Sequence, residues 1–447
     1  MVTDLTTGNV TSQLLKFAIP LFASNALQAI YNIVDMVVVG QVMGGTGMSA
    51  VSVGGEVLHF LTFLVMGFSN AGQVIIARNV GAGNMDEVKR TIGNLFSFLL
   101  SAAVIMSIFC LLIRGSILGW LNTPAEAYDQ TMDYTVICLI GLPFIYGYNI
   151  VSAVLRGMGD GKRPFYFVAA AAILNIILDI LFVAGMNMEA FGAALATIIG
   201  QGVSFIASLV YLYRKRENFA FDFKLKSFAF VPDTLKRLVS LGVPMAFQFA
   251  AISFSRILLT SWINLSGVVM SAVGGVFNKI VNVQNTSAQA FNMAGSAMVG
   301  QNLGAKKYDR VPMIMKSVFA CGCVISIVMS LIMIFGRDFL IGLFTSDIEV
   351  ITAAEVITVP AVLAFFSSAT RCCAMALING SGHSRLNLVL AVTDGLVTRI
   401  GIAALFGFAF GMGALGFWLG DAIAGYMPFV VAMVFYFSGK WKDQTAL

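Results

Sequence analysis

The sequence predicts an all-α polytopic membrane protein with twelve transmembrane helices in two parallel-repeat six-helix bundles, and three observations carry that expectation. The 447 residues are 58% hydrophobic and 11% charged, with a mean hydropathy of +0.88, far from the composition of a soluble domain. Apolar runs long enough to cross a bilayer, about 20 residues each, recur near 14–39, 49–76, 91–113, 130–155, 164–186, 191–213, 238–264, 267–298, 314–335, 351–378, 386–410 and 414–437. The second half also repeats the first. A shift of 223 residues brings Asn79-Val-Gly81-Ala82 onto Asn302-Leu-Gly304-Ala305 and Gly157-Met-Gly159 onto Gly380-Ser-Gly382, and a shift of 224 brings Pro20 onto Pro244.

An even number of helices per copy leaves both copies in one orientation, so the repeats are parallel, related by an axis along the membrane normal. The expected organisation is an N-terminal six-helix lobe over 1–213, a cytoplasmic linker over 214–237 and a C-terminal six-helix lobe over 238–447. The linker is basic and Phe-rich, and its Phe219-Ala-Phe-Asp-Phe223 alternation suits either a membrane-surface or a solvated segment. A polar start that runs directly into a spanning segment leads us to expect no cleavable signal peptide.

Basic residues orient the bundle. With the N-terminus in the cytoplasm, 21 of the 27 Lys and Arg residues, from Lys16 and Arg78 to Lys440 and Lys442, fall inside, against Arg114 and Arg337 outside. The positive-inside bias therefore places both termini in the cytoplasm of a multi-pass protein of the cell membrane. This asymmetry accounts for the net charge of +5, so no nucleic-acid partner is expected. The six cysteines lie in or beside apolar runs, without histidines at zinc spacing, and read as small buried hydrophobes.

Polar residues inside the spans mark candidate chemistry. Asn25, Gln28, Asn32 and Asp35 follow at intervals of three, four and three, one face of helix 1. Amides also pack helices together, but a carboxylate near mid-bilayer costs roughly 2.5–3.5 kcal/mol and points to a cavity or proton path. Helix 8 carries Asn278, Asn282, Asn285, Gln289, Asn292 and Ser296; in the same register helix 2 carries Gly55, His59, Thr62, Met66, Ser69 and Gln73. Faces this polar do not turn to lipid, and they predict a hydrated central cleft, the alternative being a dry hydrogen-bonded interface. Gln28, Asn32, Tyr146, Asn282, Asn285, Gln289 and Asn292 are expected to line the substrate cleft.

The ionisable residues divide unequally. The N-terminal lobe holds Asp35, Glu56 and Asp179 within its spans; the C-terminal lobe holds Arg256, Lys279, Arg371 and Arg399 with Asp394 and Asp421. Lys279 falls on Glu56 at the 223-residue shift, which makes these two a candidate gate pair. Arg371, Arg399, Asp394 and Asp421 are expected to neutralise one another. Helix 5 stacks Asn175 with Asp179 four residues on, helix 4 offers Tyr146, Asn149 and Ser152, and helix 6 offers Thr197 and Gln201. Two carboxylates among amide and hydroxyl oxygens suit a small hard cation such as Na⁺ or a shared proton, since like charges in a poorly hydrated pocket do not both ionise cheaply. The repeat equivalents of Asp35 and Asp179 are Leu258 and Ile402, so one lobe alone carries the site.

Tyr31-Asn-Ile-Val-Asp35…Gly40, Gly81-Ala82, Leu155-Arg-Gly-Met-Gly-Asp160 and Asn175-x-x-x-Asp179 together resemble the multidrug and toxic compound extrusion (MATE) transporters, in their prokaryotic proton-coupled branch, along essentially the whole chain. The resemblance implies a V-shaped, alternating-access antiporter in which entry of H⁺ or Na⁺ drives export of amphiphilic, often cationic drugs or toxic metabolites. It implies no enzymatic activity, no cofactor and a monomeric chain in the bilayer. Carried over residue by residue, the cation or proton site is Asp35, Asn149, Asn175, Asp179 and Thr197, with Ser152 where the archaeal branch has a second asparagine; Na⁺ would sit at Asp35 and Asp179. The C-lobe carboxylates of another branch have no counterpart, because helix 7 offers Gln248 and Arg256 and helix 10 offers Arg371. H⁺ is the expected coupling ion, since these amides and hydroxyls serve a proton without metal geometry.

Pro20, Pro143, Pro244 and Pro360 permit bends in helices 1, 4, 7 and 10, and protonation of Asp35 or Asp179 is expected to bend helix 1 and narrow the N-lobe cavity. Two alternatives differ in chemistry. A lipid-linked oligosaccharide flippase of related architecture would use the C-lobe basic residues to meet a pyrophosphate. An intramembrane aspartyl protease would use the G-x-G-D string Gly157-Met-Gly-Asp160, although that string falls in a cytoplasmic loop.

Overall fold

The computed structural model describes residues 3–219 and 221–443, and among them the secondary structure is helical throughout. Helix is what this composition dictates, because in an apolar medium backbone N–H and C=O groups must be satisfied within their own segment. Val10–Gly81 is one hydrogen-bonded run that turns at Gly44, whose φ of 66° and ψ of −150° suit glycine alone. It supplies two spans, α1 (10–43) and α2 (45–81). Next come α3 (Met85–Leu112) and α4, the latter bent by 47° between Ala125–Ile140 and Leu142–Gly157, with Pro143 opening the second arm. Then follow α5 (Lys162–Gly185), α6 (Glu189–Arg214), α7 (Pro232–Asn264), α8 (Val268–Gly304), α9 (Arg310–Phe335), α10 (Ile348–Ser381), α11 (Ser384–Ala409) and α12 (Gly413–Phe437).

Among the described residues nine helices, or ten with the bent one, are long and apolar enough to cross a membrane. Dividing Val10–Gly81 at Gly44 and adding α8 gives the twelve expected spans. The amides along α8 are what keep that helix out of the apolar set.

The duplication extends to side-chain and backbone contacts. Asn79 Nδ2 donates to the Ile75 carbonyl at 2.9 Å, and Asn302 Nδ2 donates to the Met298 carbonyl at 2.8 Å. Behind them, Asn84 N donates to Asn79 O and Lys307 N to Asn302 O. A Cβ on Gly157 would stand 2.9 Å from the Gln73 carbonyl, and one on Gly380 would stand 2.8 Å from the Ser296 carbonyl. Every member of these pairs lies 223 residues from its counterpart, so the sequence repeat is a repeat of close backbone approaches. Both α5 and α11 end in a π turn, Ile180–Gly185 and Leu405–Ala409; α11 carries a further one, Thr393–Thr398, where α5 is regular.

The described residues form two compact units, one lying within 1–3, 19–80 and 84–239, the other within 4–18, 81–83 and 240–447. The basic, Phe-rich stretch after α6 packs in part against α3. Phe219 and Phe221 are buried, Phe221 stacks on Phe96, Val231 N donates to Asn94 Oδ1 at 3.1 Å, and Lys89 pairs with Asp222 at 2.8 Å. Hydrogen bonds from Lys89 and Ser227 hold the Asp222 carboxyl well below the usual carboxylate range. Segment 4–18 packs within the second unit. There Leu5 is buried, its N–H donates to Gln301 Oε1 and its carbonyl accepts from Asn302 Nδ2, both at 3.1 Å.

One consequence for stability arises at Gly93 of α3, where a Cβ would collide with the Ser227 carbonyl. Gly93→Val is expected to push this stretch off α3 and to cost about 1–3 kcal/mol, the usual range for overpacking. A lowered melting temperature of the purified protein checks it; an unchanged one would show that the packing is not needed.

Candidate functional site

In the first unit three helices converge on one acidic site. α1 supplies Tyr31 and Asp35, α5 supplies Asn175 and Asp179, and α6 supplies Thr197 and Gln201. Asp179 is fully buried, and Asp35 and Asn175 nearly so. The two carboxylates act on one another electrostatically, and Tyr31 lies within electrostatic range of both. The Tyr31 hydroxyl accepts from Gln28 Nε2 at 3.5 Å and from Gln201 Nε2 at 3.4 Å, while Asn175 Nδ2 donates to Thr197 Oγ1 at 3.4 Å. Asp179 is the last residue before the π turn of α5, and such turns, which break the regular hydrogen-bond ladder, occur often at functional sites.

Four buried acceptors at this site have no hydrogen-bond partner among the described residues: Asp35 Oδ1, Asn175 Oδ1 and both oxygens of Asp179. A buried polar atom without a partner costs about 1–3 kcal/mol, and more when charged. Acceptors collected in this way favour a guest that brings positive charge. A proton on either carboxyl makes a donor for its neighbours, and a hard cation finds oxygen ligands.

Other expected polar residues make hydrogen bonds elsewhere as well. Asn149 Nδ2 donates to Ile145 O of its own helix, Ser152 Oγ accepts from Arg156 Nη1, and Tyr146 donates to Leu61 O. Asn32 is exposed. Arg156, expected on the cytoplasmic side, is buried, with its Nε on Gln73 Oε1 at 2.7 Å. The polar face of α2 is therefore divided: His59 is exposed and stacks on Phe63, while Ser69 and Gln73 are buried. That of α8 divides likewise. Asn278 and Asn282 are exposed, Asn285, Gln289 and Asn292 half-buried and Ser296 buried, with Asn285 Oδ1 accepting from Ser368 Oγ at 2.8 Å. Both expected faces are thus open over one half and a packed interface over the other.

Glu56 is exposed, and so is Lys279, whose ammonium lies 5.5 Å from the Phe344 ring centroid within its own unit. The aspartate of the G-x-G-D string serves as a helix cap: Asp160 Oδ1 accepts from the N–H groups of Lys162 and Arg163, and its side chain pairs with Arg163.

In the second unit the expected neutralisation is present. Arg371 Nη2 holds both oxygens of Asp394, at 2.8 and 2.6 Å, and Arg399 reaches Asp394 at 3.2 Å and pairs with Asp421.

The model of the MatE family matches residues 20–181 and again 244–405, two stretches of equal length offset by 224 residues. The chain belongs to the MatE family. Among its relatives are two proteins of Bacillus subtilis strain 168. The probable multidrug resistance protein YoeA is 25% identical over 96% of this chain and 93% of its own length; the probable multidrug resistance protein YpnP is 26% identical over 98% and 97%. A MOP superfamily transporter from Pyrococcus furiosus shares the fold with a TM-score of 0.90 at 20% identity, over 98% of both chains. An outward-facing multidrug resistance MATE family transporter does so with a TM-score of 0.88 at 22% identity, over 98% of both. As a MatE protein the chain is a multi-pass membrane transporter and not an enzyme.

Proposed function

We propose that this MatE chain exports amphiphilic small molecules, cationic ones among them, across the cell membrane in exchange for H⁺, by alternating access, with Asp35 and Asp179 carrying the proton. The observation that supports this best is the set of unpartnered buried acceptors on Asp35, Asn175 and Asp179. Thr197 orients Asn175, while Gln28 and Gln201 orient Tyr31 beside the carboxylates. Export couples to proton entry because substrate and proton favour different states of the protein, and only differential binding moves such an equilibrium. The multidrug resistance proteins among the relatives agree with drug export. On this reading both termini are cytoplasmic, following the distribution of Lys and Arg, and the exposed and half-buried amides of α8 supply polar contacts for substrate.

Na⁺ would use the same oxygens. H⁺ is preferred because Ser152, an oxygen that would extend an Na⁺ shell, is held by the Arg156 guanidinium, whereas a proton needs only the carboxyls and one acceptor. Efflux of tetraphenylphosphonium, a lipophilic cation, from proteoliposomes with the pH and Na⁺ gradients imposed separately tests this. A pH gradient alone should drive efflux. Efflux that persists with the pH gradient collapsed, rises with Na⁺ and loses that Na⁺ dependence in Asp179→Asn would contradict it. A smaller effect is expected from Tyr31→Phe, which removes the hydroxyl that accepts from Gln28 and Gln201 beside the carboxylates: H⁺-driven efflux should fall by up to about tenfold, the worth of a neutral hydrogen bond of about 0.5–1.5 kcal/mol, without being lost. Initial rates from the same vesicles read it out.

A further inference from the structure

The second unit contains a charged centre that the proposed exchange does not use. Asp394 and Asp421 are matched by Arg371 and Arg399, two acids to two bases. Arg256 of α7 is a third base, within electrostatic range of all four. It makes no hydrogen bond or ion pair among the described residues, and its side chain is exposed. Three guanidiniums against two carboxylates leave one positive charge in this membrane-embedded cluster. Such a charge is costly in a bilayer unless a counter-charge accompanies it, and intramembrane arginines of this kind mark substrate or ion paths.

Two further observations point to a guest. Arg399 is 2% exposed, yet its Nε is buried without a partner. The cluster therefore has a guanidinium N–H to spare as well as a charge to spare. The extra π turn Thr393–Thr398 also holds Asp394, at a place where the repeat partner α5 is regular. None of the five charges is inherited from the duplicated scaffold. At the 223-residue shift Arg256, Arg371, Asp394, Arg399 and Asp421 fall on Ile33, Tyr148, Ala171, Ile176 and Ile198. The duplicated helices do not need these charges to pack, since the other copy packs without them.

We infer that the second unit binds the anionic group of an amphiphilic molecule, a carboxylate or comparable monoanionic head, with Arg256 as its main partner. The excess of one positive charge fits a monoanion, and the planar guanidinium fork suits a carboxylate through paired N–H···O bonds. Asp394 and Asp421 hold Arg371 and Arg399 in place, leaving Arg256 free to meet the ligand.

The test uses the full chain in lipid nanodiscs and two probes of one shape, 1-naphthylacetate and its uncharged methyl ester, with binding measured by equilibrium dialysis. On the wild type the acid should bind about tenfold tighter than the ester, the gain expected from a hydrogen bond to a charged group. Arg256→Gln should abolish that difference and Arg256→Lys should keep part of it. Both variants should melt like the wild type, because Arg256 has no bonded partner to lose. Equal binding of acid and ester to the wild type, a comparison that needs no variant, would overturn the inference, as would undiminished binding of the acid to Arg256→Gln. No ion gradient enters this measurement, so its outcome is independent of whether protons drive export.

Discussion

Asp179→Asn is expected to reduce H⁺-driven efflux to the level of empty vesicles while leaving the protein folded and inserted. The amide keeps the shape of the carboxyl and removes its exchangeable proton, and neither oxygen of Asp179 has a hydrogen-bond partner whose loss would harm the fold. A buried charge that lacks a partner is itself destabilising, so the melting temperature of Asp179→Asn should equal or exceed that of the wild type. Asp35→Asn should behave alike, because the two carboxylates act on one another and the proposed exchange uses them together. Loss of efflux with unchanged or improved thermal stability separates a coupling residue from a structural one. Full export by well-expressed Asp179→Asn would remove the carboxylate pair from the mechanism.

The opposite pattern is expected at Arg399. This side chain is buried and bridges Asp394 and Asp421, so Arg399→Met strands Asp421 and leaves Asp394 to Arg371 alone. Removing one member of a buried ion pair costs about 3–5 kcal/mol, because the partner charge remains without compensation. Thermal unfolding should show a large loss of stability. Adding Asp421→Asn to Arg399→Met should recover part of it, since the stranded charge is then gone. A double variant no more stable than Arg399→Met alone would mean that the loss comes from packing.

Much of the N-terminal site was legible in the sequence, because helical spacing alone stacks Asn175 on Asp179 and sets Asp35 on a polar face of an apolar span. The duplication was legible too, and made Leu258 and Ile402 informative as absences. What spacing does not show is which hydrogen bonds a polar side chain makes. Asn149 and Ser152 lie at productive intervals on α4, yet one bonds its own helix and the other serves Arg156. Arg156 looked like a loop residue because it precedes Gly-Met-Gly, but the close approach of Gly157 to α2 carries it inward onto Gln73. Pro143 marked the bend of α4, whereas the π turns have no residue signature and emerge only from the backbone. Burial of the stretch after α6 was hidden for a similar reason. Alternating Phe residues suit a lipid surface as well as they suit packing on Phe96 of α3, and the stack of Phe221 on Phe96 is visible only in the tertiary fold.

The claim that most needs testing is that Asp35 and Asp179 hold the proton that substrate export exchanges. Proton release on substrate binding measures this without vesicles or gradients: purified protein in weakly buffered detergent with a pH-sensitive dye is titrated with tetraphenylphosphonium. Linkage between proton and substrate predicts that the wild type releases about one proton for each substrate bound, and that Asp179→Asn binds substrate without releasing any. Wild-type binding with no change in proton occupancy, or undiminished release from Asp179→Asn, would contradict the account.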